Sequence, residues 1–379
     1  MSNFNIEFKL IQHTPIIHFQ HDQVGATLRA TELKPKLDKF LKARYSKKLP
    51  FGEKGNLDYQ TKIMANHVES PANQFGDINN RYPLFFGNMG DVSEKHFTYT
   101  KDIIRIQFFS FNQKIRQAIE KNFAEFILKT NFGARQSKGF GSFYLDKSCN
   151  YYEKPHLNYK FSVNKTAIQD VFSTIELFYK SLRSGINTCD KKKESIFYFK
   201  SMMFLYAKSL GIQWDKKSIK ESFFQENLAN QSYNLPDSDC LRFSSNEKKI
   251  MKDLLGLSCS EKWKIPYKST IEKKHPEIER FKSPIIFKPL KNDNHFYDVY
   301  FFTNKIDEKF LDQSFSISQN KRNSFKLKTP KTFDIDHFLN FVLDVDLNNH
   351  VESKFHKRNE FKELKRVYRD IELNLRGTK

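Results

Sequence analysis

The sequence predicts an α+β protein in which a domain of alternating strands and helices precedes a second sheet. Three observations carry this reading: two stretches of strict apolar–polar alternation, an amphipathic helical stripe after each, and a glycine cluster placed before a further short strand. "FNIEFKL" (4–10) sets Phe4, Ile6, Phe8 and Leu10 against Asn5, Glu7 and Lys9, the period of a half-buried strand. A polar loop over 13–31 leads to a helix from about Leu33 to Tyr45. Its buried stripe is Leu33, Leu37, Phe40 and Leu41, and Pro35 falls in its first turn, where a missing N–H is tolerated.

Residues 50–100 scatter Gly, Pro and Asn, with "YPLFFGN" reading as a short strand. "DIIRIQFFSF" (102–111) is the second clear strand, and Asn112 is placed to cap a helix over 113–129. That helix buries Ile115, Ile119, Phe123, Phe126 and Ile127. After the glycine cluster, "GSFYL" reads as a strand. The order β–α–(β)–β–α–β over 1–146 is that of a ferredoxin-like (RRM-like) fold, an antiparallel sheet with two helices on one face.

Residues 147–279 read as a helical insertion, with helices over 165–183, 195–210, 215–228 and 246–256. Residues 280–379 read as a second sheet, opened by "SPIIFKPL" and "FYDVYFF", with C-terminal helices over 334–347 and beyond 352.

Composition narrows the function. An apolar fraction of 39% with 39 Phe belongs to a packed protein, since disordered chains lack such residues. Lys and Arg outnumber Asp and Glu by 64 to 44, a net charge of +20, which favours a polyanionic partner. No apolar run approaches the roughly 18–20 residues of a membrane span; Lys200 and Lys208 interrupt the best one. "MSNFNIEFKL" does not read as a signal peptide. Cys149, Cys189, Cys240 and Cys259 form no CxxC or Cys/His pair, so neither a disulfide framework nor zinc is suggested. The expectation is a cytoplasmic, nucleic-acid-facing protein without a cofactor and without a membrane partner.

"NFGARQSKGFGSF" (131–143) holds Gly133, Gly139 and Gly141 in a chain with only 13 glycines, beside Arg135 and Lys138. Glycine serves where φ is positive or another backbone comes close. Successive amides in such turns make an anion-binding concavity, and loop aromatics (Phe132, Phe140, Phe143) offer faces for unpaired bases. The alternative is a tight connector with solvated charges.

The motif Gly133, Arg135, Gly139, Phe140, Gly141 resembles the glycine-rich loop of the RAMP superfamily of CRISPR-associated proteins. "HTPIIHF" with Thr14 and Pro15, followed by "GATLRATELKPKLDKFLKARY" (25–45) with Leu28, Arg29 and Lys34, is similar to the basic segment of the head RAMP subunit of type III-B (Cmr) effector complexes. "RFKSPIIFKPL" (280–290) is similar to the opening strand of a second RAMP-like sheet. Thr27 and Lys36 stand where that pattern often has an acidic residue and a glycine. The resemblance implies a non-catalytic subunit that holds the 3′ end of the guide RNA and the facing end of the target RNA, beside the other type III-B subunits in antiviral defence. Two alternatives stay open: a metal-independent endoribonuclease that processes CRISPR transcripts, and a basic RNA-binding protein unrelated to CRISPR.

Residues 27–54 carry nine Lys/Arg against three acids, with Lys36, Lys39 and Lys42 opposite the apolar stripe of the first helix. The expected RNA-binding set is therefore Arg29, Lys34, Lys36, Lys39, Lys42, Gly133, Arg135, Lys138, Gly139, Phe140 and Gly141. No catalytic residue is assigned. His18 and His21 are weak candidates for a general base, and Asp22 for the carboxylate of a metal-assisted cut. No metal ligand set and no GxxxxGK[ST] loop is present.

Overall fold

A computed structural model describes residues 4–18, 27–68, 97–190, 195–224, 243–263 and 269–377. The chain divides into two units, Met1–Ser173 with Ile286–Phe302, and Thr174–Ile285 with Thr303–Gly377. The α+β, two-domain architecture is as the sequence predicts.

In the first unit, strand β1 (Asn5–Gln12), helix α1 (Ala30–Tyr45), strands β2 (Gln60–Met64) and β3 (Ile104–Phe109), helix α2 (Gln113–Leu128) and strand β4 (Phe143–Leu145) follow in sequence. The sheet order is β2-β3-β1-β4, and every neighbouring pair is antiparallel. Alternation decides which face is buried. Ile6, Phe8 and Leu10 of β1 and Ile104, Ile106 and Phe108 of β3 pack with Leu33, Leu37 and Leu41 of α1 and Ile115, Ile119, Phe123 and Phe126 of α2. Rings lock this layer: Phe8 lies 4.3 Å and Phe108 5.3 Å from Phe123 between centroids. Each such side chain contributes about 1.5–3 kcal/mol by leaving water. The Asn112 side chain accepts from the Lys114 and Ile115 amides and so starts α2.

Several expectations need correction. The partner strand of β3 is Gln60–Met64, whereas "YPLFFGN" lies outside the described residues. Only Thr61 and Ile63 of that edge strand share the helix-covered face, so it shows almost no apolar alternation. Helix α1 begins at Ala30, which places Pro35 in its second turn. Phe4 does not join the buried face; it precedes β1 and is exposed.

The 147–279 segment is mixed rather than helical. Tyr159–Val163 is a strand that pairs with Tyr297–Thr303, itself beside Ile285–Lys291. The expected helix 195–210 is a strand, Ser195–Phe199, then a helix, Met202–Ser209. "SIFYF" suits a pleated surface, and Ser201 caps the helix by accepting from the Phe204 amide. The expected helix 246–256 is a two-residue strand and a 3-10 turn, Lys252–Leu255.

The second unit contains a four-stranded antiparallel sheet ordered Ser260–Trp263, Ser269–Lys274, Ser314–Gln319, Arg322–Lys328. A charge network lies beneath it. Lys273, 1% exposed, pairs with Asp253 and with Glu261 at 2.9 Å. Asp253 also meets Arg183 at 3.1 Å, and Glu261 meets Lys252 at 2.6 Å. Burial opposes the Lys273 charge, but Asp253, Glu261 and Asp215 outweigh it and hold its pKa above the ordinary lysine range. Lys273→Met leaves Asp253 with Arg183 and Glu261 with Lys252 but the buried network one positive charge short, and an uncompensated buried charge should lower unfolding free energy by about 3–5 kcal/mol. Chemical denaturation checks this; a loss below about 1 kcal/mol would mark the pair as solvent-screened.

Candidate nucleic-acid interface

The glycine loop is built from the end of α2. Asn131 bridges to Ser142, closing the loop at its base. Gly133 has φ 76°, Arg135 φ 59°, Gly139 φ 91° and Gly141 φ 64°, with a 3-10 turn over Gln136–Lys138 between them. At two positions only glycine fits. A Cβ on Gly141 would collide with the Phe132 carbonyl, and one on Gly133 with the Ile17 carbonyl.

These close approaches are hydrogen bonds within the protein. The Gly133 amide donates to Glu32 Oε1 at 2.8 Å, that of Ala134 to the Ile17 carbonyl at 2.7 Å, and that of Gly141 to the Pro15 carbonyl at 2.8 Å. Thr14 completes the brace: its hydroxyl donates to the Gly139 carbonyl at 2.7 Å and accepts from the Ser142 amide at 2.9 Å. The amides of Gly133, Ala134, Gly141 and Ser142 are thus already engaged with the "HTPII" segment and α1.

The expected lysine row also separates. Lys36 Nζ donates to Glu32 Oε1 and to the Asn131 carbonyl, both at 2.8 Å, and lies 4.7 Å from the Phe132 ring centroid. Lys34 Nζ donates to the Leu57 carbonyl at 2.6 Å and lies 3.5 Å over Tyr59. Both tie α1 to neighbouring loops. Lys39 and Lys42 are exposed and carry no ion pair among the described residues. Arg29, at the N-cap of α1, has a buried Nη2 with no hydrogen-bond partner among the described residues. Arg135 and Lys138 are half-buried in the loop turn.

The loop aromatics face inward. Phe132, Phe140 and Phe143 are fully buried, and Phe140 stacks on Phe172 at 4.1 Å and on Phe97 at 6.1 Å between centroids. No base can reach Phe140 in this arrangement.

Of the weak catalytic candidates, His18 is buried, and His21 and Asp22 lie outside the described residues. His13, which flanks the first loop with His18 and His21 in the sequence, has a role that reading did not foresee: its Nδ1 accepts from the Lys291 amide at 2.9 Å. Burial, with Lys288 and Lys291 nearby, lowers its pKa to about 3. Sequence reasoning missed Lys288, buried and donating to the Thr130 carbonyl at 2.8 Å. No local pattern marks either one, because their partners lie far along the chain. Among the described residues no His/Cys/Asp/Glu group is arranged to hold a metal ion, and no helix is long and apolar enough to cross a membrane.

Family models for the Cmr1 N-terminal domain and the Cmr1 C-terminal domain match residues 3–186 and 198–367. The chain belongs to the Cmr1 family of RAMP proteins. Among solved structures, this Cmr1-family chain is similar to the apo crystal structure of Cmr1 from Pyrococcus furiosus at 12% identity, over 80% of this chain and 89% of that one, with a TM-score of 0.41. It is also similar to a chain in the cryo-EM structure of the type III-B Cmr-beta complex bound to cognate target RNA. That match has 12% identity, 38% coverage of this chain and a TM-score of 0.27, and spans 58% of the other chain's length. No curated protein matches.

Two outcomes follow for the loop. Gly141→Ala forces a left-handed alanine, about 1–2 kcal/mol for the backbone alone, and adds the Phe132 collision. Its melting temperature should fall by more than about 4 °C, and an unchanged melting curve would contradict the packing described. For His13, the unfolded side chain takes a proton near pH 6.5 and the folded one only near 3. Between these values the unfolded state binds more protons, so stability falls on acidification. His13→Gln should flatten the pH dependence of unfolding in that window; an identical profile would remove His13 as its source.

Proposed function

We propose that this chain is a non-catalytic, RNA-binding RAMP subunit of a type III-B RNA-guided effector complex, and that it acts in the cytoplasm. It contacts the 3′ end of the guide RNA and the facing target RNA in antiviral defence, in company with the other effector subunits. The observation that carries this reading is the pair of Cmr1 domain matches, which together span nearly the whole chain. The strand order of the first sheet supports reading it as a ferredoxin-like RAMP domain. The net charge of +20 supplies the electrostatics.

Within this reading the glycine loop is a scaffold and the cations around it touch the RNA. Gly133, Gly139 and Gly141 let the loop close on Thr14 and Pro15. That fixes where Arg135 and Lys138 sit and holds α1 through Lys36. Lys39 and Lys42, with the half-buried Arg29 at the start of the same helix, are then the cations set against the RNA backbone. Phosphate neutralisation by such groups gives affinity without sequence preference. The burial of His13 and His18 supports the non-catalytic reading over a histidine-based endoribonuclease, because a general base must reach the proton it takes.

Replacing Lys39 and Lys42 by Gln should reduce the slope of log affinity against log salt by about 0.7 for each phosphate these lysines neutralise, with the fold intact. Lys36→Gln should instead lower stability, because it removes the bond to Asn131. Filter-binding titrations across salt, beside melting curves, measure both. An unchanged slope in the Lys39/Lys42 variant would assign those lysines to solvent.

A further inference from the structure

Among the described residues of the first unit, the most exposed large apolar side chain is Phe111, 76% exposed, beside Phe4 at 36%. The two are not isolated. Phe111 meets Phe109 edge-on at 4.9 Å and Phe4 at 5.3 Å, and Phe4 meets Phe109 at 6.3 Å. A cluster of rings left in water forgoes burial energy that the core collects, and exposed apolar patches of this kind mark contact surfaces. Its three members come from the residue before β1, the end of β3 and a residue shortly after it. Edge-to-face packing holds the Phe111 ring in place before any ligand arrives.

The surroundings are cationic. The Arg116 guanidinium lies 5.4 Å from the Phe4 ring centroid, anchored by a 2.6 Å bond to the Ser110 carbonyl. Phe109 points to the face of the sheet opposite the helices. Along that face Lys62 stands beside Gln107, and Lys9 beside Arg105. These rows lie about 7 Å and about 13 Å from Phe109 at the rise of a strand. Lys62 and Arg105 are exposed and carry no ion pair among the described residues. The one carboxylate in these rows, Glu7, already accepts from the Gln107 amide at 2.9 Å. On the other side of Phe111, a depression of about 490 Å³ is lined by Lys48, Pro50, Gln113 and Lys114, with no acidic side chain in its wall.

We propose that Phe111, backed by Phe4 and Phe109, is a base-stacking platform for single-stranded RNA. Lys48 and Lys114 take phosphate on one side, and Lys62 and Arg105 take it on the other. An apolar protein partner would find Lys48, Lys62, Arg105 and Lys114 around the rings against the single carboxylate of Glu7, whereas a nucleic-acid strand offers ring faces and negative charge at this spacing. Stacking needs unpaired bases, which selects a single strand over a duplex. The proposal rests on the RNA-binding reading above and assigns a second surface, apart from the cations of α1 and the glycine loop.

The test is equilibrium binding of a single-stranded oligo(rA) probe carrying one fluorescent purine analogue to the full chain, to Phe111→Ala and to Phe111→Trp. The parent should quench the probe. Phe111→Ala should lose the quench and weaken binding between about fivefold and about a hundredfold, the range that one base–aromatic stack supplies. Its salt slope should be unchanged, because the cations remain in place. Phe111→Trp should restore both signals, and melting curves should agree across all three because the ring is largely in water. Parent-like affinity and quenching by Phe111→Ala overturn the platform. So does retained RNA affinity with loss of co-purifying effector subunits, which would make the surface a protein interface. Loss of affinity in the Lys39/Lys42 variant, with none in Phe111→Ala, removes the platform alone. A parent chain that binds no RNA removes this proposal and the preceding one together.

Discussion

The hydroxyl of Thr14 joins two segments more than a hundred residues apart, donating to Gly139 and accepting from Ser142. Around it, the carbonyls of Pro15 and Ile17 take the amides of Gly141 and Ala134. This seam fixes the end of β1 against the loop that leads into β4. From it follow the position of Lys36 on the Asn131 carbonyl, the burial of Phe132 against Phe126 and Phe143, and the closure of Phe140 onto Phe172. The seam requires glycine because carbonyl oxygens occupy the space a Cβ would take at Gly133 and Gly141. The concentration of glycine in a glycine-poor chain is thus explained first by backbone packing and only then by what the packing presents.

That ordering separates the two contributions any phosphate-binding surface needs. Rigid placement comes from the bonded backbone of Gly133, Ala134, Gly141 and Ser142, and charge comes from side chains that the same backbone leaves outside. Lys34 and Lys36 belong to the first group, because each ends on a carbonyl. Lys39 and Lys42 belong to the second. One helix of uniform basic appearance therefore carries structural and solvent-facing cations on successive turns. A similar separation runs through the aromatics: the loop phenylalanines form core, whereas Phe111 stands in water just past the end of β3.

What was legible in the sequence was local. β1, β3 and α2 announce themselves through alternation, a 3.6-residue stripe and the Asn112 cap, and all five predicted core positions of α2 are buried. What was not legible depended on partners far along the chain. β2 is an edge strand with two inward side chains, so its pattern is nearly silent. The strand Ser195–Phe199 reads as helix because it runs into one, with Ser201 as the only boundary mark. In the site, helical spacing placed Lys36 with Lys39 and Lys42, but spacing cannot show that Asn131 waits for one of them. Phe140 sits in a motif that suggests stacking on RNA, and it does stack, on Phe172 within the protein. Phe4 alternates correctly and still escapes the core, since it lies one residue before the strand that would have buried it.

The central claim is that the loop is a brace whose amides are satisfied by the protein, with RNA held by cations around it. Amide hydrogen exchange on the full chain, with and without single-stranded RNA, tests it most directly. The account predicts that the amides of Gly133, Ala134, Gly141 and Ser142 exchange slowly in the free protein and change little when RNA binds. Fast exchange at these four positions in the free protein, with strong protection on adding RNA, would show that the loop amides grip phosphate themselves and would contradict the account.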